Sequence, residues 1–165
     1  MLNYYHMPAL NNLKRNIAEY ISGYVDGEGC FSVSFSRRKK FLIGWETKPS
    51  FAIGQNYDRA EVIKLMKKFF KCGSIRRDYS DKTLKFETRS LDDLIEKIIP
   101  HFQKYSLLSG KKKDFYLFVK ICQLMTKKKH LTKHGLKKIV DLAYRMNVSG
   151  KRRYKKDKIL KELFR

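Results

Sequence analysis

Two acidic residues, Asp26 and Glu28, stand close together in the segment from Ile21 to Gly29, which reads ISGYVDGEG. Apolar residues recur at helical spacing before them, so the acids fall at the C-terminal end of a predicted helix. That end of a helix carries a partial negative charge, and a carboxylate there is disfavoured unless a cation lies beside it. Carboxylate oxygens suit Mg²⁺. The segment therefore indicates a divalent metal site, while composition alone leaves open a glycine-rich helix end with solvated acids.

The cysteines and histidines give weaker signals. Cys30, Cys72 and Cys122 are odd in number and widely spaced, so they predict neither a disulfide framework nor a zinc site. His130 and His134 have the i, i+4 spacing that can bind a metal on a helix, but lysines flank them and no acid lies between them. A solvated basic face is the favoured interpretation of that pair.

The element that must carry the two acids is a helix over about residues 12–27, with Leu13, Ile17, Ile21 and Val25 on one face. A strand with strict alternation follows it from residue 30 to residue 36. Apolar side chains occupy one face of that strand and small polar side chains the other, so one face is expected to pack on a core.

The rest of the chain continues in helices and strands. A strand at 44–55 contains Pro49, which predicts an edge or a bulge. Asp58 with Glu61 reads as a capping box that opens the next helix, and Pro100 is expected to close a later one. Further elements are predicted as helices at 59–71, 91–99, 112–126, 136–147 and 155–164, and as strands at 74–79 and 83–88 around a turn at 80–82, with breaks at Gly135 and Gly150.

This order of elements, αββαββα with extra C-terminal helices at about 136–165, predicts an α+β fold with an antiparallel sheet in one domain over residues 1–165. We expect the polar face of the sheet to lie on a duplex, where strand side chains reach base edges. The candidate DNA-binding residues that alternation places on that face or on its loops are Ser32, Ser34, Ser36, Arg38, Lys40, Arg76, Asp78 and Lys85.

Charge supports a nucleic-acid partner. The 165 residues include 38 Lys and Arg against 16 Asp and Glu, for a net charge of +22, and 42% are hydrophobic, which excludes a disordered basic tail. Residues 104–134 carry a net charge of +8 and residues 145–165 a net charge of +7, so we expect these helical segments to bind phosphates. No apolar run approaches a membrane span and no secretion signal is evident, so we expect an intracellular protein from an organelle, a bacterium or an archaeon.

The segment ISGYVDGEG is similar to the motif of the LAGLIDADG homing endonucleases, with Ser22 in place of alanine and Glu28 in place of the second aspartate. Further on, SFAIGQNYDRAEVIKLM resembles the junction that brings a Gln and an Arg of this family near the active site, and these match Gln55 and Arg59. The segment SGKKKDFYLFVKICQLM resembles a helix start whose lysine reaches the same site. Lys111 is its best match, with the two following lysines left open.

The resemblance implies a site-specific homing endonuclease that makes a double-strand break by hydrolysing phosphodiester bonds, as intron-encoded enzymes of this kind do. It implies that Glu28 and the carbonyl of Gly27 hold Mg²⁺, for which Mn²⁺ or Ca²⁺ can substitute. Lys111 would add positive charge at the phosphate, and Gln55 and Arg59 would position water and phosphate oxygens. Each of the last three residues also has a plain alternative as a surface or strand-end residue.

One copy of the motif further implies a homodimer that binds a long pseudo-palindromic site in double-stranded DNA, with no small-molecule substrate. Ala18, Ser22 and Gly23 would let the motif helices of two subunits approach closely. Within the same family, an RNA-splicing maturase or a non-cleaving DNA-binding regulator is the alternative. A structural RNA-binding protein ranks last, because it has no use for an acidic helix end.

Overall fold

The computed structural model describes residues 16–79 and 82–165, and it confirms the expected α+β order of elements. The first part of the chain contains α1 (Ile17–Glu28), β1 (Gly29–Arg37), β2 (Trp45–Asn56), a 3₁₀ turn (Tyr57–Arg59), α2 (Glu61–Phe70), β3 (Ser74–Asp78) and β4 (Thr83–Thr88). The second part contains α3 (Leu91–Asp93), a π-helical turn (Leu94–Ile98), α4 (Ile99–Lys104), α5 (Lys111–Thr126), a 3₁₀ turn (Lys129–Leu131), α6 (Lys133–Ala143) and α7 (Lys156–Leu163). Within these described ranges, no helix is long and apolar enough to cross a bilayer.

The four strands form one antiparallel sheet in the order β1-β2-β4-β3. In β1 the buried side chains are those of Phe31, Val33 and Phe35, as their alternation predicts, and the serines between them lie on the opposite face. The helices cover the buried face. We call the other face, which carries the serines of β1, the open face of the sheet.

The core is held together by aromatic side chains from both layers. The ring of Phe31 lies 5.0 Å from that of Phe51 on the neighbouring strand. It also contacts Phe102 of α4 at 5.4 Å and Phe115 and Phe118 of α5 at 5.1 and 5.4 Å between ring centroids. Burying each such ring contributes about 1.5–3 kcal/mol. Since β1 follows α1 without a loop, this cluster also fixes the end of α1.

The starts of two helices differ from the prediction. The helix expected from residue 12 begins at Ile17, because Asn16 is in an extended conformation and its side chain accepts the amide of Glu19; residues 12–15 lie outside the described part of the chain. The capping box of Asp58 and Glu61 is wrong: α2 starts at Glu61, after Ala60 and the 3₁₀ turn, without a side-chain cap. The predicted turn at 80–82 falls partly on residues 80 and 81, which are not described.

Proline and glycine also act differently from the prediction. Pro100 does not close a helix, because the π-helical turn before it changes the hydrogen-bond register and Pro100 falls in the first turn of α4, where its missing N–H is not needed. Gly135 lies inside the first turn of α6, which Thr132 caps by accepting the amide of Gly135. Pro49, in contrast, fits the predicted edge, because it lies in the part of β2 that pairs with β1 alone, before the pairing with β4 begins at Phe51.

The C-terminal part of the chain covers the outer edge of β1. The side-chain amide of Asn147 donates to the carbonyl of Phe31 at 2.7 Å, and the guanidinium of Arg152 donates to that of Val33 at 3.3 Å. Arg37 at the end of β1 pairs with Glu162 of α7. This explains why the helix expected at 136–147 ends at Ala143: the residues after it turn back to bind the strand edge.

Candidate active site

Glu28 is the last residue of α1, and its side chain is exposed. Among the described residues it has no hydrogen-bond or ion-pair partner, so its oxygens face solvent at the helix end. The last turn of α1 contains no basic residue of its own. The negative end of this helix dipole therefore requires a cation from elsewhere in the chain.

Lys111 supplies that cation from the first turn of α5. Its Nζ donates to the carbonyl oxygen of Val25 at 2.8 Å and to that of Gly27 at 3.2 Å. Burial lowers the pKa of Lys111 below its ordinary value, an effect that the nearby thiol and carboxyl groups only partly oppose. Of the three consecutive lysines, Lys111 is thus the one at the end of α1, whereas Lys112 lies 6.0 Å above the ring of Tyr116.

Asp26 also connects α1 with the start of α5, but it accepts hydrogen bonds where Lys111 donates them. Its carboxylate accepts the backbone amides of Leu108 and Ser109 at 2.8 and 2.9 Å, and the hydroxyl of Ser109 as well. Burial acts to raise the pKa of Asp26, but these hydrogen bonds and the charge of Lys111 outweigh it, and the pKa is lowered. Asp26 therefore holds the loop that leads into α5, which places Lys111.

Gln55 and Arg59 are placed differently from each other. Gln55 donates from its Nε2 to the hydroxyl of Tyr24 on α1, and its Oε1 accepts the amide of Asn56 at 2.8 Å. Arg59 extends into solvent with 81% of its side chain exposed, and the one ion pair found for it within the described ranges is with Asp58 at 4.0 Å. Gln55 is thus hydrogen-bonded to α1, whereas Arg59 is exposed to solvent and pairs with Asp58.

The surface that α1 exposes differs from the predicted dimer interface. Ser22 is only 5% exposed and is hydrogen-bonded within its own chain, so its side chain is not available to a second helix. Ala18, one turn earlier on the same side, is half-buried. Gly23 is exposed, and a Cβ built on Gly23 or on Gly27 would meet no atom within 4 Å. We call the exposed side of the helix formed by Tyr20, Gly23 and Gly27 the open stripe of α1.

The open face of the sheet collects most of the predicted DNA-binding residues. The register pairs Ser32 with Ser50 and Ser34 with Lys48 across β1 and β2, and Arg76 with Lys85 across β3 and β4. The remaining candidates lie on this face or in the turn beyond it: Ser36 opposite Glu46, Asp78 opposite Thr83, Arg38 in an ion pair with Glu46, and Lys40 exposed in the turn.

Carboxylates lie among these basic groups. Glu87 accepts the hydroxyl of Ser50 at 2.9 Å and lies 3.0 Å from Arg89 and 3.7 Å from Arg76. On β3, Asp78 pairs with Lys85 at 2.9 Å. Glu46 pairs with Arg38 and with Lys48, at 2.8 and 3.2 Å. The sequence-based prediction took its candidates from the first, third and fourth strands and the first loop. It therefore missed Glu46, Lys48 and Ser50 on β2, although the same period of two would have found them.

The sequence matches the model of the family described as LAGLIDADG endonuclease over residues 21–122, more than half of the chain. The chain belongs to the LAGLIDADG endonuclease family. Glu28, Gly27 and Lys111 all lie within the matched part.

Relatives and solved structures agree with this membership. Probable intron-encoded endonuclease 2 of Neurospora crassa is 35% identical over 123 residues, which are 74% of this chain and 27% of that protein. The structure of the homing endonuclease I-TnaI superposes with a TM-score of 0.81 at 33% identity, over 88% of this chain and 97% of that one. The LAGLIDADG homing endonuclease I-LtrWI, bound to its target DNA, has a TM-score of 0.78 at 37% identity, over 80% and 45%. The chain spans 27% and 24% of the first two curated relatives' lengths.

The donor atoms at the end of α1 suit a hard cation. The Glu28 carboxylate is exposed, and the Gly27 carbonyl keeps a second lone pair beside its contact with Lys111. Within the described ranges, no three His, Cys, Asp or Glu side chains lie close enough to hold a metal. One chain of this LAGLIDADG protein therefore offers part of a coordination shell, which for Mg²⁺ is ordinarily completed by water and phosphate oxygens.

Proposed function

We propose that this chain is a site-specific DNA endonuclease that hydrolyses one phosphodiester bond on each strand of a long, pseudo-palindromic duplex site, as an intron-encoded homing endonuclease. The observation that carries the proposal is the exposed Glu28 carboxylate at the end of α1, backed by Lys111 from α5. The relatives named as intron-encoded endonucleases, and the DNA-bound structure of I-LtrWI, support it.

In the proposed mechanism, Glu28 and the carbonyl of Gly27 hold the divalent cation, which we take to be Mg²⁺. When bound, it would lower the pKa of water and neutralise charge on the phosphate. Lys111 has three N–H groups and donates two of them to the helix-end carbonyls, so one remains for a phosphate oxygen. A cation placed before the reaction begins requires no reorganisation as charge develops.

Gln55 and Arg59 have supporting parts in this proposal. The bond from Gln55 to Tyr24 holds its amide against the helix that carries Glu28, where it can orient water. The exposed guanidinium of Arg59 has weak internal pairing and is suited to a phosphate of the bound duplex.

We further propose that the active form is a C2 homodimer packed through the open stripe of α1. One chain provides one Glu28, and a second strand requires a second acid. Glycine at positions 23 and 27 removes the side chains that would keep two helix backbones apart. Two subunits of charge +22 repel each other, so their contact must rest on this close packing.

The test is selection of cleaved sequences from a random duplex library in Mg²⁺, with Glu28→Gln as the inactive variant and Glu19→Gln, an exposed acid in the first turn of α1, as its matched control. We expect wild type and the control to enrich the same site, and Glu28→Gln to bind that site without cutting it. Cutting by Glu28→Gln at the wild-type rate would remove Glu28 from the mechanism. Binding by wild type without any cutting would favour the regulator or maturase alternative.

A further inference from the structure

His101 is a buried polar group that the proposed chemistry does not use. Its ring, 8% exposed, is surrounded by aromatic rings whose centroids lie 4.7–5.3 Å away. These rings belong to Phe69, Phe70, Phe102 and Tyr105. The Nε2 atom of His101 lies 3.2 Å from the hydroxyl oxygen of Ser22 in the motif helix. Burying a polar ring among apolar side chains costs free energy unless the ring is hydrogen-bonded, and the contact with Ser22 provides that hydrogen bond.

The proton positions follow from the partners. Ser22 has one hydroxyl proton, which it donates to the carbonyl of Tyr105 at 2.7 Å. The hydroxyl oxygen can then only accept from the ring, so His101 carries a proton on Nε2. Burial lowers the pKa of His101 to about 4, which agrees with a neutral ring. The result is a relay from His101 to Ser22 to the backbone of Tyr105.

A separate set of hydrogen bonds lies one turn further along α1. Asp26 follows Ser22 by one helical turn and binds the loop at Ser109, and Lys111 then binds the helix-end carbonyls. We call these contacts, made by Ser22, Asp26, His101, Ser109 and Lys111, the polar seam. It joins one side of α1 to the segment from His101 to Lys111, and the open stripe lies next to it on the helix, with Gly23 lining the same cavity as Ser22 and Asp26. Apolar packing is non-directional, whereas hydrogen bonds have a preferred direction, so the seam restricts the rotation of the helix in addition to the packing of its end.

We propose that His101 is a positioning residue, whose Nε2–H, acting through Ser22, fixes the rotation and slide of α1 and thereby sets where Glu28 stands relative to Lys111. Ser22 occupies the position at which the motif LAGLIDADG itself has alanine, and alanine cannot take part in the relay. The catalytic meaning of the proposal rests on the proposed function, but the seam itself can be tested without DNA.

The DNA-free experiment uses ¹⁵N NMR of the imidazole, amide hydrogen exchange, and urea unfolding of Ser22→Ala, His101→Phe and the double variant. We expect an Nε2–H tautomer, non-additive losses of stability, and about fivefold faster exchange at residues 25–28 in His101→Phe.

His101→Gln, which keeps an N–H donor, should restore slow exchange. His134→Gln is the control, since His134 is exposed and contacts Phe164. An Nδ1–H tautomer, additive losses or unchanged exchange would each overturn the seam.

The second readout is single-turnover cleavage at saturating protein, beside the dissociation constant for the selected site. We expect His101→Phe to lose about tenfold or more in cleavage rate with little change in affinity, and His101→Gln to recover most of the loss. Faster exchange without a loss of cleavage rate would overturn the positioning role. If wild type cleaves nothing, the proposed function fails, while the tautomer and the exchange rates still decide whether the seam exists.

Discussion

At the scale of single residues, Asp26 and Lys111 each bind backbone groups that would otherwise lack a hydrogen-bond partner. The end of α1 presents free carbonyls, and the loop before α5 presents free amides. Lys111 donates to the carbonyls and Asp26 accepts the amides, so each helix satisfies the backbone of the other. Lys111, which the family resemblance marks as catalytic, thus also holds the site together with Asp26.

The Asp26→Asn variant tests the structural part. We expect it to lose about 1–3 kcal/mol of unfolding free energy at pH 7, because an amide accepts the loop hydrogen bonds less strongly than a carboxylate. The pKa of Asp26 is lowered in the fold, so its contribution is complete above the ordinary carboxyl pKa of 3.8 and is lost as the pH falls through the lowered value. Urea unfolding at pH 7 and near pH 2.5 measures this. Asp92→Asn, exposed on α3, is the control, and an equal loss at both pH values would contradict the argument.

The Lys111→Gln variant tests the catalytic part, because glutamine retains N–H donors but removes the charge. We expect single-turnover cleavage to fall by about 100-fold while affinity for the site falls by about threefold or less. Lys112→Gln is the matched control on the same helix turn and should cut nearly as wild type does. Equal losses in both variants would show that the lysine run acts only as a general positive surface.

At the site, the sequence was sufficient for Glu28 and Lys111 to be proposed, because both lie in motifs with specific spacing. The partnership of Tyr24 with Gln55 and of Asp26 with Ser109 could not be predicted, since each joins residues far apart in the chain. The placement of Ser22 was wrong for the same reason. A stripe of small residues indicates close packing, but not which helix lies against it.

At the scale of elements, the strands were predictable and the helix ends less so. Strict alternation in β1 gave the correct buried face, because a period of two leaves no other choice when one face is apolar. The helix around Pro100 was mispredicted because a π-helical turn, which depends on packing in the finished fold, moved the proline to a tolerated position.

The Glu87→Gln variant tests the carboxylates on the open face. Glu87 engages Ser50, Arg76 and Arg89, so the free protein presents a partly neutralised surface. We expect the variant to bind random duplex DNA several-fold more tightly at low salt, with the slope of log affinity against log salt steeper by about one. Fluorescence anisotropy over a salt series measures this. Glu61→Gln, on the first turn of α2, is the control, and a slope equal to wild type would refute the shielding role.

At the scale of the whole molecule, the proposed dimer depends on a surface of α1 in which two glycines lie beside Tyr20. The open stripe has its two glycines one helical turn apart, and the chain gains nothing from them in its own fold, because alanine is the better helix former. In the proposed dimer, the missing side chains at these two positions let the second helix approach.

The Gly23→Leu variant tests this. A Cβ there would meet no atom within 4 Å outside its own helix, so we expect the unfolding temperature of dilute protein to stay level or rise. Self-association and cleavage should both be lost, because a leucine holds the second helix away. Sedimentation velocity measures the association, with Lys120→Leu on the exposed side of α5 as the control. Normal self-association of Gly23→Leu would move the dimer contact elsewhere.

The cover on the edge of β1 has a consequence for synthesis of the chain. The contacts of Asn147 with Phe31, Arg152 with Val33 and Glu162 with Arg37 join residues 116, 119 and 125 positions apart. A ribosome adding about 5–20 residues per second needs roughly 6–25 s to span that separation. Throughout that time the nascent chain carries an unpaired strand edge, which other chains can join. Chains stalled before residue 147 should co-sediment with one another, and chains stalled after Glu162 has emerged from the ribosome should not. The segment that carries Asn147, Arg152 and Glu162 is therefore the one that ends the risk of misassembly.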